Sequence, residues 1–174
     1  HHGPIISGSV DSGWGMAISD PASRSGTKWV DAAYGPMKST TADELEKAFD
    51  TWTHRVNNYP YADVHGNFGY LFKGRVPSRG QENGWGPIPG WTGEHEWNGF
   101  IPNAELPRSK NPECGWGVTC NQRVVGEDYE HYLTHLYGTD YRARRIRGRI
   151  DDLAGKKATV ADMSSIHADT VSIP

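Results

Sequence analysis

Between positions 78 and 117 the chain reads SRGQENGWGPIPGWTGEHEWNGFIPNAELPRSKNPECGWG, a stretch with little helical or strand periodicity, punctuated by glycine, proline and tryptophan. Structureless connections of this length are uncommon inside compact domains and occur where a loop is functional or lies against a larger body. The chain is therefore expected to be an excised piece of something bigger. Its composition agrees. A hydrophobic content of 36% and a mean hydropathy of -0.69 are low for a self-sufficient globule of 174 residues, and 21 glycines and 11 prolines require many turns. The net charge of -3 offers no footing for nucleic acid or an anionic membrane, and no run approaches the roughly 18 apolar residues of a membrane span. The chain opens on His1-His2 with neither an initiator methionine nor a signal pattern, so an internal, processed or cloned start is expected.

Either side of the long connection, local signals are readable. Residues 1–39 predict one or two short strands and an exposed loop around Pro21 to Thr27. Thr41 precedes Glu44 at capping-box spacing, and Leu45, Ala48, Phe49 and Trp52 recur at helical intervals, predicting a helix over about 41–55. The runs NNYPYADV and NFGYLFKGRVP flank His65-Gly66 and predict a β-hairpin, the glycine supplying positive φ. GVTC reads as a short strand and EDYEHYLTHLY as a helical segment. DYRARRIRGRIDDLAG reads as a helix with Ile146, Ile150 and Leu153 as its stripe, and a last helix starts near Thr159 with Asp162 in its first turn.

Several constellations could carry chemistry, each with a plainer alternative. His131 and His135, with Glu127 a turn earlier, would share a helix face suited to zinc. Tyr132 stands where a zincin requires glutamate, so surface histidines are the simpler reading and no metal is assigned. Arginines 142, 144, 145, 147 and 149 form a basic cluster, but Asp151 and Asp152 follow at once, as on a solvated, salt-bridged helix. Tryptophans and tyrosines in the long connection could stack on sugars, which would make the chain a carbohydrate-binding module; aromatics beside prolines fit equally a loop packed on its own domain. Ser9 has no visible base and reads as a turn serine. Cys114 and Cys120 can pair across a turn or stay as two small hydrophobes.

Taken in order, HHGPII, YADVHGNFGYLFKGRVPSR, PIPGWTGEHEWNGFIPNAELPR, NPECGWGVTCNQRVVGEDY, YRARRI and ADMSSIHADTVS resemble consecutive segments of the β-subunit of the penicillin amidase (penicillin acylase) family, which are N-terminal nucleophile hydrolases. The resemblance covers nearly the whole chain. It implies an α+β fold, with antiparallel strands and two or three helices forming a fragment of the αββα sandwich. Residues 1–174 would then be a partial β-subunit domain lacking the nucleophile-bearing N-terminus and the later part, and inactive alone. Its partners would be the α-subunit, the rest of the β-subunit and a small-molecule amide substrate; its location would be periplasmic or secreted.

The resemblance also implies roles. In the family an N-terminal serine attacks a linear amide to give an acyl-serine, its own amino group acting as base, and a side-chain carboxamide stabilises the oxyanion. Asn121 matches that carboxamide, which donates a hydrogen bond without bringing a charge or a competing proton. A second asparagine is common next, where this chain has Gln122. Arg142 matches an arginine that supports the oxyanion asparagine, its plainer alternative being a salt bridge at the helix start. Tyr34 and Asn57 match acyl-pocket positions. A structural calcium often accompanies the family, but Tyr132 falls near the place of an aspartate ligand and only a main-chain oxygen near Gly84 carries over, so no cofactor is expected. The substrate class spans penicillins, glutaryl-cephalosporins and N-acyl homoserine lactones.

Overall fold

In the computed structural model, residues 2–24 and 28–173 are described. Five strands and four α-helices are joined by long connections: β1 (Ile5–Ser9), β2 (Trp14–Ala17), α1 (Trp29–Tyr34), α2 (Ala42–Ala48), β3 (Asn57–Ala62), β4 (Phe68–Lys73), β5 (Arg108–Lys110), α3 (Tyr141–Asp151) and α4 (Val160–His167). β1 and β2 pair antiparallel as a separate hairpin, and the second sheet runs β3-β4-β5, also antiparallel. This is the mixed, antiparallel class expected. No described helix is long and apolar enough to cross a membrane.

The three-stranded sheet positions everything else, and its order follows from its residues. Pro60 lacks the N–H a central strand must donate, so β3 lies at an edge, with β4 in the middle. The turn between them is built by Asp63, whose carboxylate accepts from the backbone N–H groups of His65 and Asn67, each at 2.9 Å, while Gly66 takes φ 88°. The same carboxylate accepts from Ala42 N at 3.1 Å, tying the turn to the start of α2.

Side-chain alternation gives the sheet two different faces. On one, Leu71 and Lys73 are buried, the Phe49 ring lies 4.4 Å from that of Tyr59, and Lys73 Nζ donates to Asp50 at 2.8 Å. A buried ammonium needs such a partner, since an unpaired one would be neutralised or expelled. On the other, Phe72 packs against a core of Val76, Ile101, Leu106 and Leu133, to which Val125 and Tyr129 add. Fully burying a side chain of this size stabilises by about 1.5–3 kcal/mol.

Local signals placed both capped helices. Thr41 accepts from Glu44 N at 3.3 Å, although Glu44 reaches back to Thr40, not Thr41. Thr159 and Asp162 form a complete reciprocal capping box. The first of these helices stops at Ala48, with a 3-10 turn to Thr51, instead of reaching 55, because Phe49 and Trp52 turn to meet Tyr59.

Three expectations fail. GVTC is not a strand: Val118 O and Cys120 N bond the Gln122 side chain instead of a neighbouring strand. EDYEHYLTHLY is not a helix, because Tyr129 Oη and His131 Nε2 are drawn to Glu105, and Leu133 into the core. The segment after the Pro21–Thr27 loop holds helix α1, where sequence suggested only strand and loop. Of that loop, Pro21–Ser23 form a 3-10 turn, while residues 25–27 lie outside the described residues.

Candidate functional site

Residues 117–120 and 122–124 line a cavity of about 800 Å³ together with Pro60, Phe68, Tyr70 and Ile146; Asn121, between them in sequence, is not itself among the lining residues. Asn121 stands in this stretch with φ 68°, the left-handed region that asparagine tolerates better than other side-chain-bearing residues. Its side chain is exposed. Burial pushes the Tyr70 phenol upward, and Arg123 adds a cationic group to the same wall.

Arg142 reaches Asn121 from the first turn of α3. One terminal nitrogen, Nη2, donates to Asn121 Oδ1 and to Cys120 O, both at 2.7 Å. The amide oxygen is thereby occupied and the orientation of the carboxamide fixed. Among the described residues, Asn121 Nδ2 has no acceptor and faces solvent. A cation at a helix N-terminus opposes the macrodipole at a cost of about 0.3–1 kcal/mol, so helix stability does not explain its placement. No ion pair of Arg142 appears among the described residues; the helix's ion pairs belong to Arg144 with Asp140, and to Arg145 and Arg149 with Asp169. Asp151 and Asp152, the partners suggested by sequence, are not used.

Two participants were not recognisable from sequence. Gly138 N donates to Asn121 O at 2.7 Å, and a Cβ on Gly138 would lie 3.2 Å from both the Asn121 Cβ and its carbonyl oxygen. Gln122 accepts from Cys120 N at 2.6 Å and donates to Val118 O at 3.0 Å. Nothing local in YGTD marks the glycine, since its contact lies 17 residues back.

Tyr34 and Asn57 are not gathered here. Tyr34 ends α1, exposed, with Lys38 Nζ 4.4 Å above its ring. Asn57 begins β3 on the Tyr59 face, its Nδ2 donating to Tyr59 Oη at 3.3 Å. Neither is among the residues that line the cavity, and nor is Asn121.

Other candidates resolve into local partnerships. His131 and His135 share no helix face: His131 pairs with Glu105 at 2.7 Å, and His135 stacks under Trp85 with centroids 4.0 Å apart. His135 Nδ1 also bonds Tyr132 Oη at 3.0 Å, and that phenol lies so close to Gly84 that a Cβ there would meet it at 2.1 Å. A neutral phenol and an imidazole do not fit calcium, which takes oxygens rich in carboxylate. Ser9 and Ser12 bond each other across the β1–β2 turn. Both cysteines are free thiols. Of the tryptophans in the long connection, Trp85 is stacked, Trp97 lies under Arg24 and against Phe100, Trp116 lies under Arg147, and Trp91 is 88% exposed. They do not form a shared open platform for sugars.

Comparison with known proteins adds the following. The family model described as penicillin amidase matches residues 1–174. A penicillin acylase 2 proenzyme from Pseudomonas sp. (strain SE83) is 39% identical over 171 residues, which cover 98% of this chain and 22% of that protein. The acyl-homoserine lactone acylase QuiP from Pseudomonas syringae pv. tomato is 32% identical over 152 residues, 83% of this chain and 18% of that protein. A solved structure of thermostable penicillin G acylase from Alcaligenes faecalis superposes with a TM-score of 0.74 at 21% identity, covering 96% of this chain and 30% of that one. The chain thus spans about a fifth of the length of the curated relatives it matches.

Proposed function

The chain belongs to the penicillin amidase family, and from that premise we propose that it is part of an amidohydrolase cleaving linear carboxamides through an acyl-serine, with Asn121 as oxyanion donor. Attack on an amide carbonyl moves negative charge onto its oxygen, and a donor already aimed at that oxygen stabilises the transition state more than the ground state. The observation that carries the reading is the Arg142 hydrogen bond to Asn121 Oδ1, which occupies the amide oxygen of this exposed residue and leaves its Nδ2 available to donate. A neutral carboxamide performs this task without titrating. In this proposal the serine nucleophile and the remaining walls come from other segments of the protein.

The relatives named as acylases of penicillin and of acyl-homoserine lactones support an amide whose acyl group is removed. Tyr34 and Asn57 keep the acyl-pocket role that the family resemblance gives them as part of the proposal; like Asn121 they do not line that cavity, and the pocket they would complete includes other segments of the protein. The test is Asn121→Ala in the full-length protein, assayed on penicillin, glutaryl-cephalosporin and N-acyl homoserine lactone substrates. Turnover should fall about 10²–10³-fold with KM little changed. Wild-type turnover in this variant removes Asn121 from the reaction.

A further inference from the structure

We infer that Gln122 is the positioning residue that holds Asn121 in its donor conformation; this rests on the oxyanion reading of Asn121. The φ of Asn121 is the rotation between two peptide planes, and a left-handed value persists in a non-glycine residue where the surroundings fix both planes. Arg142 and Gly138 hold the two planes that flank Asn121, and Gln122 holds the plane before them, its bond to Cys120 N closing a ring that contains the Asn121 backbone. Cys120 N, in the plane before the turn, donates to Gln122 Oε1 at 2.6 Å. Cys120 O, in the next, accepts from Arg142 Nη2 at 2.7 Å. Asn121 O, in the third, accepts from Gly138 N at 2.7 Å.

Gln122 contributes a second link as well. Its Nε2 donates to Val118 O at 3.0 Å, so one carboxamide closes the backbone on both sides of Thr119. Both of these bonds are half-buried, where a lost partner leaves a polar group unpaired. Gln122 thus acts on Asn121 through the backbone of Cys120, and it needs no contact with substrate.

The test is a double-mutant cycle in the full-length protein with Asn121→Ala and Gln122→Met, the latter keeping side-chain volume but neither hydrogen bond. Gln122→Met should lower kcat about tenfold, with KM within about twofold of wild type. In the Asn121→Ala background the same change should cost nothing further, because there is no donor left to aim. Wild-type kcat in Gln122→Met overturns the assignment while leaving the oxyanion reading standing. An equal loss with and without Asn121 also overturns it, since that would be general destabilisation. Wild-type turnover in Asn121→Ala alone would defeat the oxyanion reading itself, and Gln122 would then have no donor to position.

Discussion

Replacing Arg142 with methionine removes the guanidinium while keeping most of the stem, and the structure sets the size of the effect. Two charge-assisted hydrogen bonds from one nitrogen are lost, to Cys120 O and to Asn121 Oδ1, each 2.7 Å long. Hydrogen bonds to charged groups contribute about 1.5–3 kcal/mol each. The bond to Oδ1 is exposed, so water replaces much of it, and the orientation lost by Asn121 is taken at the low end, about 1.5–2 kcal/mol. At 1.36 kcal/mol per tenfold, kcat of the full-length protein should fall about 10- to 30-fold. Deleting the donor outright costs about 10²–10³-fold, which caps the effect. Because a cation in the first turn of α3 opposes the helix dipole, the helix itself should not be weakened by the change. The assay is steady-state hydrolysis of a chromogenic acyl amide, alongside thermal melting and the Asn121→Ala double variant. A rise in KM at unchanged kcat would refute the reasoning, placing Arg142 on the substrate instead of on Asn121. A loss larger than that of Asn121→Ala would refute it equally.

Two further outcomes concern stability. In Gly69→Ala the new Cβ would sit 2.2 Å from Ser109 O and 2.5 Å from Tyr61 Oη, so β4 or β5 must shift, and the urea midpoint should drop by the equivalent of about 1–3 kcal/mol; an unchanged midpoint would show that the β4–β5 contact is looser than described. Asp169, 6% exposed between Arg145 and Arg149, is held at a pKa of about 2, chiefly by the Arg145 hydrogen bond; Asp63 is likewise held at about 2, chiefly by the Asn67 side chain. Both folded values lie below the unfolded carboxylate near ~3.9, so their stabilisation is complete above that pH and disappears as pH falls from about 4 to about 2. Thermal melts across that window should show Asp169→Asn with a shallower acid loss than wild type, and identical slopes would discount the arginine pair.

What the sequence determined about this chain is what short-range chemistry controls. Thr41 and Thr159 cap helices because a hydroxyl three residues from an N–H needs no distant partner, and His65-Gly66 turns because glycine accepts positive φ. The residue types of the site, a carboxamide and a guanidinium, were legible too, together with the family resemblance that assigned them roles. Tertiary structure decided the rest. GVTC and EDYEHYLTHLY carry patterns that a strand or a helix would satisfy, yet their polar groups found better partners in Gln122 and in Glu105, the latter more than twenty residues away. The meeting of Asn121 with Arg142 spans 21 positions and requires the chain to fold back at Gly138, where a bare Cα lets two backbones approach. A pattern along the chain records which groups are present, but only packing determines which of them lie within hydrogen-bonding reach, because that reach is about 3 Å and the chain can bring any two segments to it.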